Sequence, residues 1–326
     1  MRTFRGFQLA SAAVTGVLIT AALACAQDYP SKPIRFIVPG AAGGAPDINA
    51  RLLASELVKQ MGRQFVVDNR PGAAGSIGME VVVRAVPDGY TIGYGTVPAL
   101  AINRSMYPKL SHDPEKDLQK VAQLGYQPNL LAVALALPVK SVKELIAYAK
   151  SNPGKLSYGS SGNGTTLHLG MEQFKLMTGT QMVHVPYKGA PQATAEMIAG
   201  QVHLMFDNFN SILPHVKAGR VCGLGVTTLK RSPALPDLPT LDEAGVPGFE
   251  VTVWGGIVVP VGVPKPIVAK LNAEINRALA TPELKEKFSA IGYTLVGGTP
   301  EQFDAFVKQQ IAKWADVIKR SGAKID

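Results

Sequence analysis

The spacing of apolar residues along the chain predicts helices that alternate with short strands. Apolar side chains recur every three or four positions over residues 47–61, 165–178 and 303–318, the spacing of a helix with one buried face. Short apolar runs lie between these stretches and fit strands, at residues 34–38, 130–137, 202–206, 221–227 and 251–259. This order of elements predicts an α/β fold in which helices cover the sheets.

Capping patterns mark where further helices begin. Ser141 with Glu144, and Thr240 with Glu243, have the spacing at which an N-cap hydroxyl and a third-position carboxylate bond to each other's backbone. Thr299 precedes a proline, which is favoured at the first helical position. These patterns predict helix starts near residues 141, 240 and 299.

Three glycine-rich turns run into helices, at residues 39–47, 70–78 and 159–166. Glycine lets the backbone approach a ligand closely, and the first N–H groups of a helix have no partner within the helix. Such a turn is therefore suited to an anion. Because the turns fall in both halves of the chain, we predict an anionic group held between two lobes.

The N-terminus has the pattern of a secretory signal peptide. Arg2 and Arg5 precede an apolar run, and Ala24-Cys25-Ala26 forms a cleavage site with small residues on both sides. A membrane anchor fits less well, because the apolar run is short and rich in alanine, glycine and threonine. A lipoprotein signal would need a larger residue at Ala22. We predict that residues 1–26 are removed and that the mature protein is periplasmic.

Composition excludes several classes of protein. The formal net charge is +9 at pH 7, but the basic residues are scattered and no basic helix is interleaved with aromatics, so we expect no nucleic-acid partner. The mature chain keeps only Cys222, which rules out an intramolecular disulfide. Cys222 lies in an apolar run and is expected to be a buried strand residue.

Sequence patterns of known catalytic sites are missing. No lysine follows the glycines as in a phosphate-binding loop, and the dinucleotide pattern Gly-x-Gly-x-x-Gly is absent. The chain has neither a Gly-x-Ser-x-Gly elbow nor a His-Glu-x-x-His pair. We therefore expect no catalytic residues, no metal and no cofactor, and a protein that is not an enzyme.

Several short motifs together resemble the Bug-type periplasmic receptors of tripartite tricarboxylate transporters. Each motif is weak alone, but their order and spacing over the mature chain are specific. They are Gly43-Gly44-Ala45-Pro46-Asp47, Asn69-Arg70-Pro71-Gly72, Pro87-Asp88-Gly89-Tyr90-Thr91, Tyr158-Gly159-Ser160-Ser161-Gly162-Asn163-Gly164-Thr165 with His168, His184-Val185-Pro186-Tyr187-Lys188-Gly189, Leu238-Pro239-Thr240 and Trp254-Gly255-Gly256.

The resemblance implies a two-lobe type II periplasmic-binding-protein fold with the ligand in a cleft. Lobe one would contain residues 27–127 and 252–326, and lobe two residues 128–251. The implied partners are a small organic carboxylate and the membrane components of a tripartite transporter, and we expect a monomer. Carried onto this chain, the ligand-binding positions are Gly44, Ala45, Asp47, Ser160, Asn163, Thr165, Thr166 and Asp207.

Some alternatives stay open at the level of sequence. Asp47 could serve its own helix through the dipole and the exposed amides, or contact the ligand. His168 could orient the Thr165 turn or contact the ligand. Pro46 departs from the family pattern and removes an N–H from the predicted site. A dicarboxylate, a tricarboxylate, an aromatic carboxylate or an acidic amino acid would all suit the turns. The competing functions are a secreted hydrolase of a small ester or amide and the sensing half of a transcription regulator.

Overall fold

The computed structural model describes residues 29–107 and 109–324. The predicted signal peptide, residues 1–26, lies outside the described residues. Over the two described ranges, no helix is both long enough and apolar enough to cross a membrane.

Helices and strands alternate along the chain, as the apolar spacing predicts. In order they are β1 (Ile34–Val38), α1 (Ala45–Met61), β2 (Phe65–Asn69), a 3-10 turn (Ala73–Gly75), α2 (Ser76–Val83), β3 (Thr91–Thr96), a π-helical turn (Pro98–Ile102), α3 (Asn103–Met106), β4 (Leu118–Ala134), α4 (Val142–Ser151), β5 (Ser157–Ser160), α5 (Thr166–Thr178), β6 (Val183–Pro186), α6 (Ala190–Ile198), β7 (Leu204–Asn208), α7 (Phe209–Lys217), β8 (Val221–Val226), β9 (Thr252–Pro260), α8 (Lys265–Ala280), α9 (Pro282–Ala290), β10 (Thr294–Gly297) and α10 (Pro300–Ser321).

The strands follow the order β2-β1-β3-β9-β4-β7-β5-β6, with β8 and β10 also paired to β4. The long strand β4 changes partners along its length. Its first part, up to Pro128, is antiparallel to β9, and from Asn129 onward it is antiparallel to β7 and β8. The β1, β2 and β3 pairings and the β5, β6 and β7 pairings are parallel, with helices between them. Two groups of strands are thus joined through β4.

Within residues 29–107 and 109–324, apolar side chains pack in three clusters that follow this arrangement. One lies under α1, α8 and α9 and includes Phe36, Leu53 and Phe288. A smaller one lies between β7, β8, α6 and α7 and includes Met205 and Ile212. The third extends across both groups of strands and includes side chains of α5 and α10. The burial of these helix faces against the sheets stabilises both groups and confirms the α/β prediction.

One predicted helix start is wrong. Thr240 and Glu243 do form the reciprocal bonds of a capping box, at 3.1 Å each. The segment continues as a turn, without a helix, because Gly245 takes a positive φ of 109° and Pro247 follows two residues later. The other two patterns do begin helices, with Ser141 and Thr299 as the N-caps of α4 and α10.

Candidate ligand-binding site

A cavity of about 430 Å³ lies where residues of both strand groups meet. From the first group it is lined by the turns before α1 and α2 and by Thr96, Val97 and Pro98. From the second group it is lined by Ser161, Thr165, Thr166, Leu167, Lys188 and Asn208. The central strands and the loop before β10 add Gln127, Val253, Trp254 and Tyr293 to the lining. The cavity is therefore a cleft between two lobes.

The turn before α1 is held by a charged network. The Asp47 carboxylate accepts a hydrogen bond from the Gly43 amide at 2.8 Å and from the Arg51 guanidinium at 3.0 Å. Burial alone would raise the pKa of Asp47, but the bonds from Arg51 and Gly43 outweigh it and hold the pKa below its ordinary value. Asp47 thus serves its own turn, which agrees with the structural interpretation of this residue.

The turn before α5 is held by neutral groups. His168 Nδ1 accepts a hydrogen bond from the Gly164 amide at 3.2 Å, and the His168 ring stacks on His184 with centroids 3.9 Å apart. Burial, together with the nearby Lys175 charge, lowers the pKa of His168 to about 4, so the ring is neutral at pH 7. The structure thus supports the interpretation that His168 orients the Thr165 turn.

Two of the predicted site residues, Ser160 and Asp207, are buried and do not line the cavity. The Ser160 hydroxyl is 2.6 Å from His184 Nε2, and it also accepts a hydrogen bond from the Gly162 amide. Asp207 is fully buried, where its carboxylate accepts hydrogen bonds from the Thr194 hydroxyl at 2.9 Å and the Asn208 amide at 2.7 Å. Burial raises the pKa of Asp207 to about 6 despite these bonds.

The remaining predicted positions divide between the cavity wall and its support. Ala45, Thr165 and Thr166 line the cavity, whereas Gly44, Asp47 and Asn163 are not among its lining residues. Thr165 is the N-cap of α5, since its hydroxyl accepts from the His168 amide at 3.4 Å and donates to the Gly162 carbonyl at 2.8 Å. The Thr166 hydroxyl makes no hydrogen bond to another described residue.

Sequence reasoning missed several polar residues that line the cavity. Asn49, Tyr94, Gln127, Asn208 and Tyr293 all line it. Tyr94 lies inside a strand, and Gln127 lies in the part of β4 that precedes the predicted apolar run 130–137. No sequence signal singles out Gln127, because Lys120, Gln123 and Asn129 are also buried polar residues of this strand.

The electrostatic character of the cavity is simple. Lys188 is the one charged residue among the lining residues that the structure describes, and its side chain is exposed. The first turns of α1 and α5 face the same space, and helix N-termini carry partial positive charge. The cleft is thus suited to an anion, and its described lining residues include no catalytic pair of acid and base.

The chain matches a family of transport receptors over most of its length. The model of the family described as "Tripartite tricarboxylate transporter family receptor" matches residues 49–323. A relative in Bordetella pertussis, named BugT, is 35% identical over 318 residues, which is 96% of this chain and 98% of that protein.

Two solved structures show that the similarity extends to the three-dimensional fold. One is described as R. palustris Rpa4515 with adipate, is 40% identical with a TM-score of 0.85, and is matched over 92% of this chain and 100% of that chain. The other is MatC from Rhodopseudomonas palustris with bound malate, 31% identical with a TM-score of 0.79, matched over 89% of this chain and 100% of that chain. They confirm the two-lobe periplasmic-binding-protein fold. The chain therefore belongs to the tripartite tricarboxylate transporter receptor family, whose Bug-type members are periplasmic solute-binding proteins.

Proposed function

We propose that this protein is a periplasmic receptor that binds a small organic carboxylate and delivers it to the membrane components of a tripartite tricarboxylate-type transporter. One observation carries the proposal: helix N-termini from two separate lobes face a single cavity whose lining, in the described residues, holds one cation and no anion. Related structures contain the dicarboxylates adipate and malate, which supports a carboxylate as the ligand.

The proposed mechanism is lobe closure without chemistry. The carboxylate accepts hydrogen bonds at the first turns of α1 and α5, and closure of the lobes buries it. Ligand binding shifts an equilibrium between open and closed forms, and the closed form is the one that membrane partners would bind. We place the lobe boundaries at residues 127/128 and 251/252. The change of β4 partners between Pro128 and Asn129 supports the first of them.

A thermal-shift screen against dicarboxylates, tricarboxylates and aromatic carboxylates tests the proposal. A ligand that binds only the folded state raises the melting temperature, by an amount that grows with its concentration relative to the dissociation constant. We expect at least one carboxylate to raise the melting temperature and to bind stoichiometrically in calorimetric titration. If no member of the three classes binds, the proposed function is wrong.

Thr166 provides the matching mutational test. Thr166 lines the cavity and its hydroxyl is not used by another described residue, so we propose that this hydroxyl bonds to the carboxylate. A hydrogen bond to a charged group contributes about 1.5–3 kcal/mol, so Thr166→Ala should weaken binding about tenfold or more. Thr166→Ser, which keeps the hydroxyl, should bind nearly as well as the wild type. Equal affinity of all three proteins would remove Thr166 from the site.

We further propose that the protein binds its ligand without turnover. The cavity wall lacks a nucleophile paired with a histidine and an acid among the described residues, which is the arrangement that the competing hydrolase would need. Prolonged incubation with the best ligand of the screen, followed by NMR, should return that ligand intact. Multiple turnovers to a product would favour the hydrolase.

The periplasmic location and the monomeric state remain proposals as well. N-terminal sequencing of protein recovered from the periplasm should begin at or near Gln27. Light scattering after size-exclusion chromatography should give the mass of one mature chain. A retained N-terminus or a stable dimer would contradict the corresponding proposal.

A further inference from the structure

A second cavity, of about 690 Å³, is also lined by both lobes, and we call it the rear groove. One wall is the loop after β8, from Thr228 to Ala234, which belongs to the second group of strands. The other wall belongs to the first group and includes Ser289, near the end of α9, and Thr294, the first residue of β10. The candidate ligand cavity described above is called the front cavity from here on.

Neighbouring residues of β4 line the two cavities alternately. Gln127 lines the front cavity, and so does Val253, its partner on β9. Tyr126 lines the rear groove, and so does Thr294, its partner on β10. Because successive side chains of a strand point to opposite faces of the sheet, the two cavities lie on opposite faces of these strands.

The chain passes from one lobe to the other between the two cavities. Strand β4 pairs with β9 as far as Pro128, and with β7 from Asn129 onward. A rotation of one lobe against the other bends the chain near this point, because hinge movements are absorbed by a few residues at the ends of elements. A rotation about a pivot that narrows the gap on one side widens the gap on the other side.

No hydrogen bond or ion pair between described residues joins the two walls of the rear groove. In the loop after β8, the Thr228 hydroxyl donates to the Lys230 carbonyl at 2.7 Å, and the Arg231 guanidinium donates to the Glu243 carboxylate at 2.8 Å. In the opposite wall, the Gly292 amide donates to a carbonyl of α9. The walls can therefore separate without the loss of a polar contact between described residues.

We propose that the rear groove widens when the front cavity closes on a carboxylate, so that the width of the groove sets the affinity of the front cavity. A connection that holds the two walls at the spacing of the ligand-free protein then opposes closure and weakens binding. The inference rests on the proposed function, since it assumes that lobe closure buries the ligand. It adds a surface that determines affinity and lies on the face of β4 opposite to the ligand.

Distances between spin labels, measured by pulsed EPR, test the opposite movements directly. The parent protein carries Cys222→Ala, which removes the thiol that the mature chain is expected to retain. The rear pair is Ala234→Cys with Ser289→Cys, two exposed residues on opposite walls of the groove. The front pair is Ile48→Cys with Gln192→Cys, two exposed residues on α1 and α6, one in each lobe.

The probe is adipate, or the carboxylate that raises the melting temperature most in the thermal-shift screen if adipate does not bind. We expect the probe to shorten the distance between the front labels and to lengthen the distance between the rear labels. A rear distance that stays constant or shortens while the front distance shortens overturns the inference.

A chemical tether across the groove tests the effect on affinity. The shortest bismaleimide that links the rear pair in the ligand-free protein should weaken binding of the probe about tenfold or more, because the closed form becomes rare and one lobe loses its hydrogen bonds to the carboxylate. A long, flexible bismaleimide on the same pair should restore the affinity of the untethered protein. The matched control, Lys285→Cys with Ser289→Cys, places the short tether within α9 and should change no affinity.

The outcomes separate this inference from the proposed function. If the parent protein binds a carboxylate and the short rear tether leaves the affinity unchanged, the groove is not coupled to the front cavity and the receptor function stands. Lys230→Cys with Thr294→Cys, again one exposed residue from each wall, carries the test if the first pair disturbs folding. Failure of every carboxylate in the screen contradicts the receptor function, and this inference with it.

Discussion

The turns before α1 and α5 have the same backbone design but opposite chemistry. In each, a glycine with positive φ precedes the N-cap, at 77° for Gly43 and 73° for Gly164. In each, the side chain at the third helical position accepts a hydrogen bond from that glycine's amide. The acceptor is a carboxylate in the first turn, Asp47, and a neutral imidazole in the second, His168.

The residue one helical turn further on explains why the two acceptors differ. Asp47 is followed by Arg51, which bonds to it, and the pair is stable as an ion pair. His168 is followed at the same spacing by Glu172, which already bonds to Lys175 at 2.7 Å and to the Tyr158 hydroxyl. A carboxylate at position 168 would meet a like charge. The same loop shape is therefore reached with a charge where a cation bonds to it directly, and with a neutral ring where the nearby cation, Lys175, is already paired with Glu172.

Introducing a charge into the second turn should have the largest effect. His168→Asp places a buried carboxylate one helical turn before Glu172, and the nearby cation, Lys175, is already paired with Glu172. An uncompensated buried charge costs about 3–5 kcal/mol, so the free energy of unfolding should fall by that amount in urea titrations at pH 7. His168→Asn has nearly the same shape, keeps a neutral acceptor and should lose about 1 kcal/mol. If the two variants are equally stable, the absence of charge at position 168 does not contribute to the free energy of unfolding.

Removing the charge from the first turn should have a smaller effect. Asp47→Asn keeps an acceptor for the Gly43 amide but loses the charge that faces Arg51. We expect a loss of about 2 kcal/mol in the free energy of unfolding, because hydrogen bonds to charged groups contribute more than neutral ones. The matched control is Asp316→Asn, which breaks an exposed Asp–Arg pair of the same helical spacing and should cost less than about 0.5 kcal/mol. Equal losses would show that the first turn gains nothing from its buried carboxylate.

The two turns should also differ in their response to pH. Because burial lowers the pKa of His168 to about 4, from an ordinary value of 6.5, the unfolded chain binds more protons between these values. The contribution of His168 to stability is therefore complete above pH 6.5 and is lost as the pH falls towards 4. Between pH 7 and pH 5 this should remove about 1.5 kcal/mol.

The control for this titration is His168→Asn. Asp207, whose pKa burial raises to about 6, acts in the opposite direction over part of the same range, but it is present in both proteins. The difference between the wild type and the variant thus isolates His168. A stability gap that stays constant from pH 7 to pH 5 would contradict the neutral, buried state of this ring.

The comparison also shows how far the sequence could predict the structure. The glycine turns, the helices after them and the apolar strands were predicted, because local spacing and capping specify them. The Thr240 pattern failed since the residues that end a helix, Gly245 and Pro247, follow too soon. A capping pattern predicts a helix start correctly only when the residues that follow it also favour a helix.

The candidate site was less predictable, for a physical reason. Ala45, Thr165 and Thr166 line the cavity and belong to glycine-rich turns that can be recognised in the sequence. Tyr94, Gln127 and Tyr293 are brought together by the pairing of β3, β9 and β4 and by the loop before β10. Tyr94 and Tyr293, whose hydroxyls are in contact, are 199 positions apart in the sequence. No short sequence motif can reveal a contact between residues that are so far apart in the chain. The ligand-binding role of the first set stays a prediction.

The smallest expected effect concerns the caps, where the two turns differ once more. Helix α1 begins after Gly44, which has no side chain to cap it, whereas α5 begins after Thr165, whose hydroxyl accepts from the His168 amide at 3.4 Å. Thr165→Ala should lower the free energy of unfolding by about 1 kcal/mol. Thr165→Gly, which copies the N-cap of the first turn, should lower it by only about 0.3 kcal/mol. Thr281 is a matched control, because it accepts from the Leu284 amide at the same 3.4 Å and donates to a carbonyl at 2.8 Å, far from the cavity. We expect Thr165→Ala and Thr281→Ala to lose equal stability and to keep the affinity of the wild type for the best ligand. A loss of affinity confined to Thr165→Ala would mean that this hydroxyl binds the ligand as well as capping the helix, and the second turn would then hold the carboxylate with two threonines instead of one.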